Sequence, residues 1–151
     1  ITIYLFMNIA IFTLILSLKT KDRYIEFLSD LSGMSKKKPI HSLCVAIIML
    51  SLAGIPPFAG FFGKFYIFIS AIRADLIHLA ILGVLASVIS AYYYLRIIKI
   101  IYFDESVIDY KSNLSKKSTF ILFISIIIIS LFILYPSLLI NITTQISLSY
   151  F

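Results

Sequence analysis

Four stretches of the chain run without a single Asp, Glu, Lys or Arg: Ile1 to Leu18, Pro39 to Gly63, Leu76 to Leu95 and Ser118 to Phe151. Each is at or above the length of about 18 residues at which an apolar run becomes a candidate membrane span. No other feature restricts the fold as much. The expected fold is all-α: a single polytopic membrane domain over residues 1–151 with four transmembrane helices. Composition agrees, with 61% hydrophobic and 13% charged residues, against roughly 25% charged in a soluble domain. Mean hydropathy is +1.06.

The net charge of +6 raises nucleic acid as a partner, and the position of the basic residues argues against it. Lys19, Lys21, Arg23, Lys36, Lys37, Lys38, Lys111, Lys116 and Lys117 fall in the two connections that four spans place on one side. Arg96 and Lys99 lie near a helix end on that side, and the opposite side has only Arg73. This is the positive-inside pattern of a bilayer protein, so the first set is read as cytoplasmic, or its organellar equivalent. The sequence predicts spans at 1–18, 41–72, 76–103 and 118–140. Between them come a cytoplasmic loop at 19–40 and a second loop at 104–117, with an outer tail at 141–151. The 19–40 loop is expected to carry an interfacial helix, because Tyr24, Phe27, Leu28 and Leu31 form an apolar stripe opposite Arg23, Glu26 and Asp30.

No positively charged n-region with a small-residue cleavage site opens the sequence, so Ile1 to Leu18 is not read as a signal peptide. The chain opens inside a span and without Met, and is expected to be the C-terminal part of a longer protein or of a split gene. Cys44, alone in an apolar run, supports neither a disulfide nor a metal site. Phosphate loops, dinucleotide glycine fingerprints, clustered metal ligands and nucleophile elbows are all missing. No cofactor is expected in the chain, and the functions left open are transport, assembly or anchoring.

The second span is the informative one. From His41 to Ile72 an unbroken helix would measure about 48 Å, against a hydrocarbon core of roughly 30 Å. Gly54-Ile55-Pro56-Pro57 interrupts it, since prolines lack the N–H and glycine accepts unusual backbone angles. Carbonyls freed near Ala53 and Gly54 then need partners, and unwound backbone at membrane depth is tolerated only against protein or a wet cavity. Lys64 follows the break and lies roughly 12 Å of helix before Ile72. A charge at the bilayer centre costs about 2.5–3.5 kcal/mol on insertion scales, so Lys64 is expected to face a cavity or a partner. There it can gain and release a proton, as a proton relay must. The competing reading is a lysine that snorkels to the interface or holds a structural ion pair.

Other polar residues carry weaker signals. His41 and His78 stand near expected membrane edges, and His78 is the stronger candidate for a proton entry or exit. Ser87, Tyr92 and Tyr93 are candidate channel-lining residues, with packing as the alternative. Gly83, Ala86, Ser87, Ser90 and Ala91 permit close helix contact.

Two longer blocks carry a family resemblance: "MLSLAGIPPFAGFFGKFYIF" (Met49 to Phe68) and "SVISAYYYLRIIKIIYF" (Ser87 to Phe103). Together they closely resemble the C-terminal region of the subunit N family of proton-pumping NADH:quinone oxidoreductase, respiratory complex I, whose mitochondrial members are called NADH dehydrogenase subunit two. Gly63-Lys64-Phe65-Tyr66 is more similar to subunit N than to the sibling subunits L and M. The resemblance implies the C-terminal part of an antiporter-like fold, corresponding to the last four of about fourteen helices. It implies a proton half-channel in which Lys64 is the relay and Gly54, Pro56 and Pro57 form the helix break. The implied partners are other membrane-arm subunits, the missing N-terminal helices and the lipid bilayer, with no nucleic acid. NADH and quinone would be used by the assembled complex, with no redox chemistry in this chain. A glutamate and two lysines that the family carries on earlier helices have no counterpart here. Alternatives are a fragment of a multisubunit Na+/H+ antiporter, and a remnant or small membrane scaffold. Lys outnumbers Arg 10 to 3, the bias of an AT-rich genome, which fits a bacterial inner membrane or a mitochondrial inner membrane.

Overall fold

The computed structural model describes residues 2–18, 26–105, 120–127 and 129. Every regular element among them is helical: α1 (Thr2–Ser17), a 3₁₀ turn (Leu28–Leu31), α2 (Met34–Lys37), α3 (Pro39–Ala53), α4 (Ala59–Arg73) and α5 (Ile77–Phe103). Residues 120–127 are helical as well. The expected loop 104–117, span 118–140 and tail 141–151 otherwise lie outside the described residues.

Pro39 sits in the first turn of α3, where its missing N–H costs no helical bond. The helix ends at Gly54, whose φ of +81° is left-handed. The Gly54 N–H donates to the Ser51 carbonyl at 3.0 Å and the Ile55 N–H donates to the Leu50 carbonyl at 3.2 Å. This crossed pair is the Schellman closure of a helix C-terminus. The stop therefore falls on the glycine, ahead of Pro56. The two prolines, joined by a cis peptide bond, occupy the centre of a turn that the Phe58 N–H closes by donating to the Ile55 carbonyl at 3.1 Å, and Phe58 (φ −72°, ψ 155°) leads into α4. A second closure follows α4, with Asp75 left-handed at φ 57°. There Leu76 donates to the Ala71 carbonyl at 2.9 Å and Asp75 to that of Ile72 at 3.1 Å. The chain then turns into α5, which packs back on α4 and α3.

α3 is the central element, in contact with α1, α2, α4 and α5. Leu14 of α1, Met34 of α2, Ile48 of α3 and Ile101 of α5 are fully buried around it. Where α5 crosses α4 the fit is close: a Cβ on Gly83 would stand 2.7 Å from the ring of Phe68. α5 has 27 residues, about 40 Å of helix. It is the one helix among the described residues long and apolar enough to cross a membrane by length and composition. Its outer face bears exposed Leu82, Val88 and Ile89, and α1 likewise exposes Phe12 and Leu16. An apolar surface this extensive suits hydrocarbon or further helices better than water.

The 19–40 connection differs from the amphipathic helix its spacing suggests. Residues 19–25 lie outside the described residues. The described part is a 3₁₀ turn with Asp30 and Leu31 buried and Phe27 and Leu28 exposed. Asp30 Oδ2 accepts the backbone N–H of Glu26 at 3.2 Å and of Phe27 at 3.1 Å. Satisfying those donors folds the carboxylate inward and overrides the helical stripe. Gly33 then donates to the Ile100 carbonyl at 3.2 Å, fastening this turn to the last turn of α5.

Candidate functional site

The last carbonyls of a helix have no partner within it, and α3 ends where the sequence offers few side-chain donors. Lys64, in the second turn of α4, supplies one. Its Nζ donates to the Ala53 carbonyl oxygen at 3.0 Å. The ammonium thus meets the terminus of α3 that carries the negative end of the helix dipole, in the favourable sense. Gly54 makes room for this arrangement. A Cβ at that position would stand 2.9 Å from Lys64 Cδ and 3.3 Å from Nζ. The glycine that ends α3 is therefore also the residue past which the lysine stem runs.

Lys64 is half-buried and lines a cavity of about 510 Å³ between α1, the α3–α4 break and α5. Its polar wall comprises Ser51 and Lys64 from the break, Tyr4 from α1, and Ser87, Ser90 and Tyr94 from α5, set among apolar residues such as Ile3, Leu52 and Ile67. Ser87 Oγ donates to the Val84 carbonyl at 2.8 Å and Ser90 Oγ to the Ala86 carbonyl at 2.9 Å. With their protons so engaged, both hydroxyls offer oxygen lone pairs, which can accept from an ammonium or from water.

Among the residues singled out in the sequence, Lys64, Gly54 and Ser87 come together at this site. Pro56 and Pro57 are exposed beside the break. Tyr92 and Tyr93 meet each other edge to face at 5.6 Å and are 64% and 57% exposed; neither lines the cavity. His78 is exposed in the first turn of α5 and does not line it either. Sequence reasoning missed Tyr4, Ser51 and Tyr94, and gave Ser90 only a packing role. For three of the lining residues a signal existed, since Ser87, Ser90 and Tyr94 recur at three and four residues, which is one helix face. His41 Nε2 and Ser42 Oγ, at the start of α3, are buried without a hydrogen-bond partner. Among the described residues no three His, Cys, Asp or Glu side chains gather as a metal site.

Apolar helices packed around the α3–α4 connection, with a lysine seated on the end of α3, make the described residues an all-helical unit with a largely apolar surface. Residues 1–90 match the model of the NADH:quinone oxidoreductase/Mrp antiporter transmembrane family, and the chain belongs to that family. A curated relative from Paramagnetospirillum magneticum, named NADH-quinone oxidoreductase subunit N, is 47% identical over 141 residues, covering 93% of this chain and 29% of the relative. The protein of the same name from Pelagibacter ubique is 48% identical over 149 residues, covering 97% of this chain and 31% of the relative. Among solved structures, a chain of respiratory complex I from Thermus thermophilus, with bound aureothin, superposes with a TM-score of 0.72 at 27% identity. That match covers 90% of this chain and 33% of the other. The chain thus spans about three tenths of the length of the curated relatives it matches.

Proposed function

We propose that the chain is part of an antiporter-like membrane-arm subunit of NADH:quinone oxidoreductase. In this reading it contributes one segment of a proton half-channel coupled to electron transfer from NADH to quinone. The names of the relatives support the assignment. The observation that carries the mechanism is the Lys64 ammonium on the free carbonyl of Ala53, 3.0 Å away, at the edge of a cavity with a polar wall. Residues 1–18, 41–72, 76–103 and 118–140 act as four spans, the second discontinuous at Gly54 to Pro57. The membrane is a bacterial or mitochondrial inner membrane. Other membrane-arm subunits and the remaining helices of the subunit complete the path, and NADH and quinone react elsewhere in the complex.

Lys64 carries the proton. When a neighbouring charge moves, its ammonium passes one proton to water on the outer side and keeps the nitrogen lone pair. The neutral amine then takes a proton from water held in the cavity, where Ser87 and Ser90 accept hydrogen bonds. Lys64→Ala in the complete complex is expected to lower both proton pumping and coupled NADH–quinone turnover. Lys64→Arg keeps the charge and impairs release, because guanidinium holds its proton in proteins. The measurement is NADH-driven acidification in membrane vesicles, normalised to assembled complex by native electrophoresis with an NADH-oxidation stain. Wild-type pumping in Lys64→Ala refutes the reading, and so does absence of the chain from the NADH-oxidising particle.

A further inference from the structure

The Lys64 contact is held across the non-helical connection between α3 and α4, so something must fix α4 relative to α3. Ser51 and Gly60 are the residues that do so. Ser51 is fully buried in the last turn of α3, three residues before the helix stops, and Gly60 is buried in the first turn of α4. The Gly60 N–H is one of the donors that a helix N-terminus leaves unpaired. It donates to Ser51 Oγ at 3.1 Å. A Cβ on Gly60 would overlap the Ser51 carbonyl carbon and oxygen, so the two backbones touch at a distance only glycine permits. That same Ser51 carbonyl accepts the Gly54 N–H that closes α3. One residue therefore engages both sides of the break, through its carbonyl to the end of α3 and through its hydroxyl to the start of α4.

From this geometry we infer that Ser51 is a positioning residue for Lys64: the Ser51–Gly60 clasp sets where α4 begins, and hence holds the lysine amine on the Ala53 carbonyl. Lys64 lies one helical turn beyond Gly60, on the same face of α4, so a displacement at Gly60 is passed to Lys64 by a rigid piece of helix. Without the hydroxyl, the buried Gly60 N–H lacks a partner and the start of α4 must shift or unwind to find one. The role rests on the proton-relay reading of Lys64 and adds to it a residue that never carries the proton.

The test uses the full-length subunit in its assembled complex, with Ser51→Ala, Ser51→Cys and Lys64→Ala compared. Ser51→Cys keeps a side-chain acceptor at the same place, weaker and somewhat larger than the hydroxyl. The readouts are NADH-driven proton pumping per assembled complex and the pH profile of coupled activity. Ser51→Ala is expected to assemble, to pump severalfold less, and to displace the pH profile by about half to one unit, the scale of one hydrogen bond to a titrating group. Ser51→Cys is expected to fall between Ser51→Ala and wild type. A general packing defect would lower assembly without moving the profile. If Lys64→Ala impairs pumping while Ser51→Ala keeps wild-type pumping and pH profile, the clasp is wrong and the relay stands. If Lys64→Ala pumps normally, the relay fails and the inference with it. If Ser51→Ala does not assemble, Ser51→Cys decides: a displaced profile supports the clasp and an unchanged one overturns it.

Discussion

Gly54→Ala separates a helix break that merely shortens a span from one built around its lysine. Gly54 holds φ +81°, where a residue with a Cβ costs about 1–2 kcal/mol. The new methyl would also stand 2.9 Å from Lys64 Cδ and 3.3 Å from Nζ, so the stem has to move. Moving it takes the amine off the Ala53 carbonyl, at present 3.0 Å away. A hydrogen bond to a charged group is worth about 1.5–3 kcal/mol, so the population with Lys64 seated should fall on the order of ten- to a hundredfold. Gly54→Asn distinguishes the two costs, because Asn tolerates the left-handed region while its Cβ occupies the same place. Thermal inactivation of the assembled complex should be earliest in Gly54→Ala and partly restored in Gly54→Asn. Proton pumping per NADH-oxidising complex should stay low in both. Wild-type pumping in Gly54→Ala, measured by acidification of NADH-energised vesicles, would refute the coupling of break and lysine.

Gly83→Ala should destabilise the α4–α5 packing by about 1–3 kcal/mol, since its Cβ would meet the Phe68 ring at 2.7 Å; Phe68→Leu in the same chain should restore thermal stability. Tyr94→Phe should reduce pumping while Tyr92→Phe and Tyr93→Phe leave it unchanged, because only Tyr94 of the three lines the cavity; equal effects in vesicle acidification count against the cavity as the path. Asp30→Ala should cost about 1–3 kcal/mol by leaving the Glu26 and Phe27 backbone donors without their acceptor; proteolysis within the 19–40 connection should accelerate, and an unchanged rate would contradict the inward carboxylate.

Much of this was legible in the sequence because the bilayer leaves strong marks. Uncharged runs locate apolar helices, and a glycine with two prolines inside one of them announces an interruption. Lys64 stands out because a charge within the expected span 41–72 demands a reason. The wall of the cavity was harder to read. Tyr92 and Tyr93 are candidates because their hydroxyls can hydrogen-bond water, whereas the face a side chain belongs to is decided by helical period, and Ser87, Ser90 and Tyr94 share the inner one. Ser51 could not be found by period at all, because its partner Gly60 lies across a break where no helical phase carries over. Asp30 misled for a third reason: an aspartate that bonds backbone donors three and four residues before it does not stay on the polar face its spacing assigns.

The pairing of Lys64 with Ala53 answers two costs with one contact. An ammonium at membrane depth is unfavourable by about 2.5–3.5 kcal/mol, and an unsatisfied carbonyl there costs several kcal/mol more. Each relieves the other, so neither is expected to persist alone. Under the proposed function the contact is also conditional on charge. A neutral amine is a weaker donor than an ammonium, so once Lys64 gives up its proton the Ala53 carbonyl needs help from water, and the cavity beside it is where water can stand. Ser87 and Ser90 favour the same outcome, since hydroxyls already donating to their own helix can hold water only by accepting from it. Proton release at Lys64 and hydration of the cavity are then two sides of one equilibrium, and a substitution that dries the α5 wall, such as Ser87→Ala with Ser90→Ala, should slow reloading of the lysine while leaving its seat on Ala53 intact.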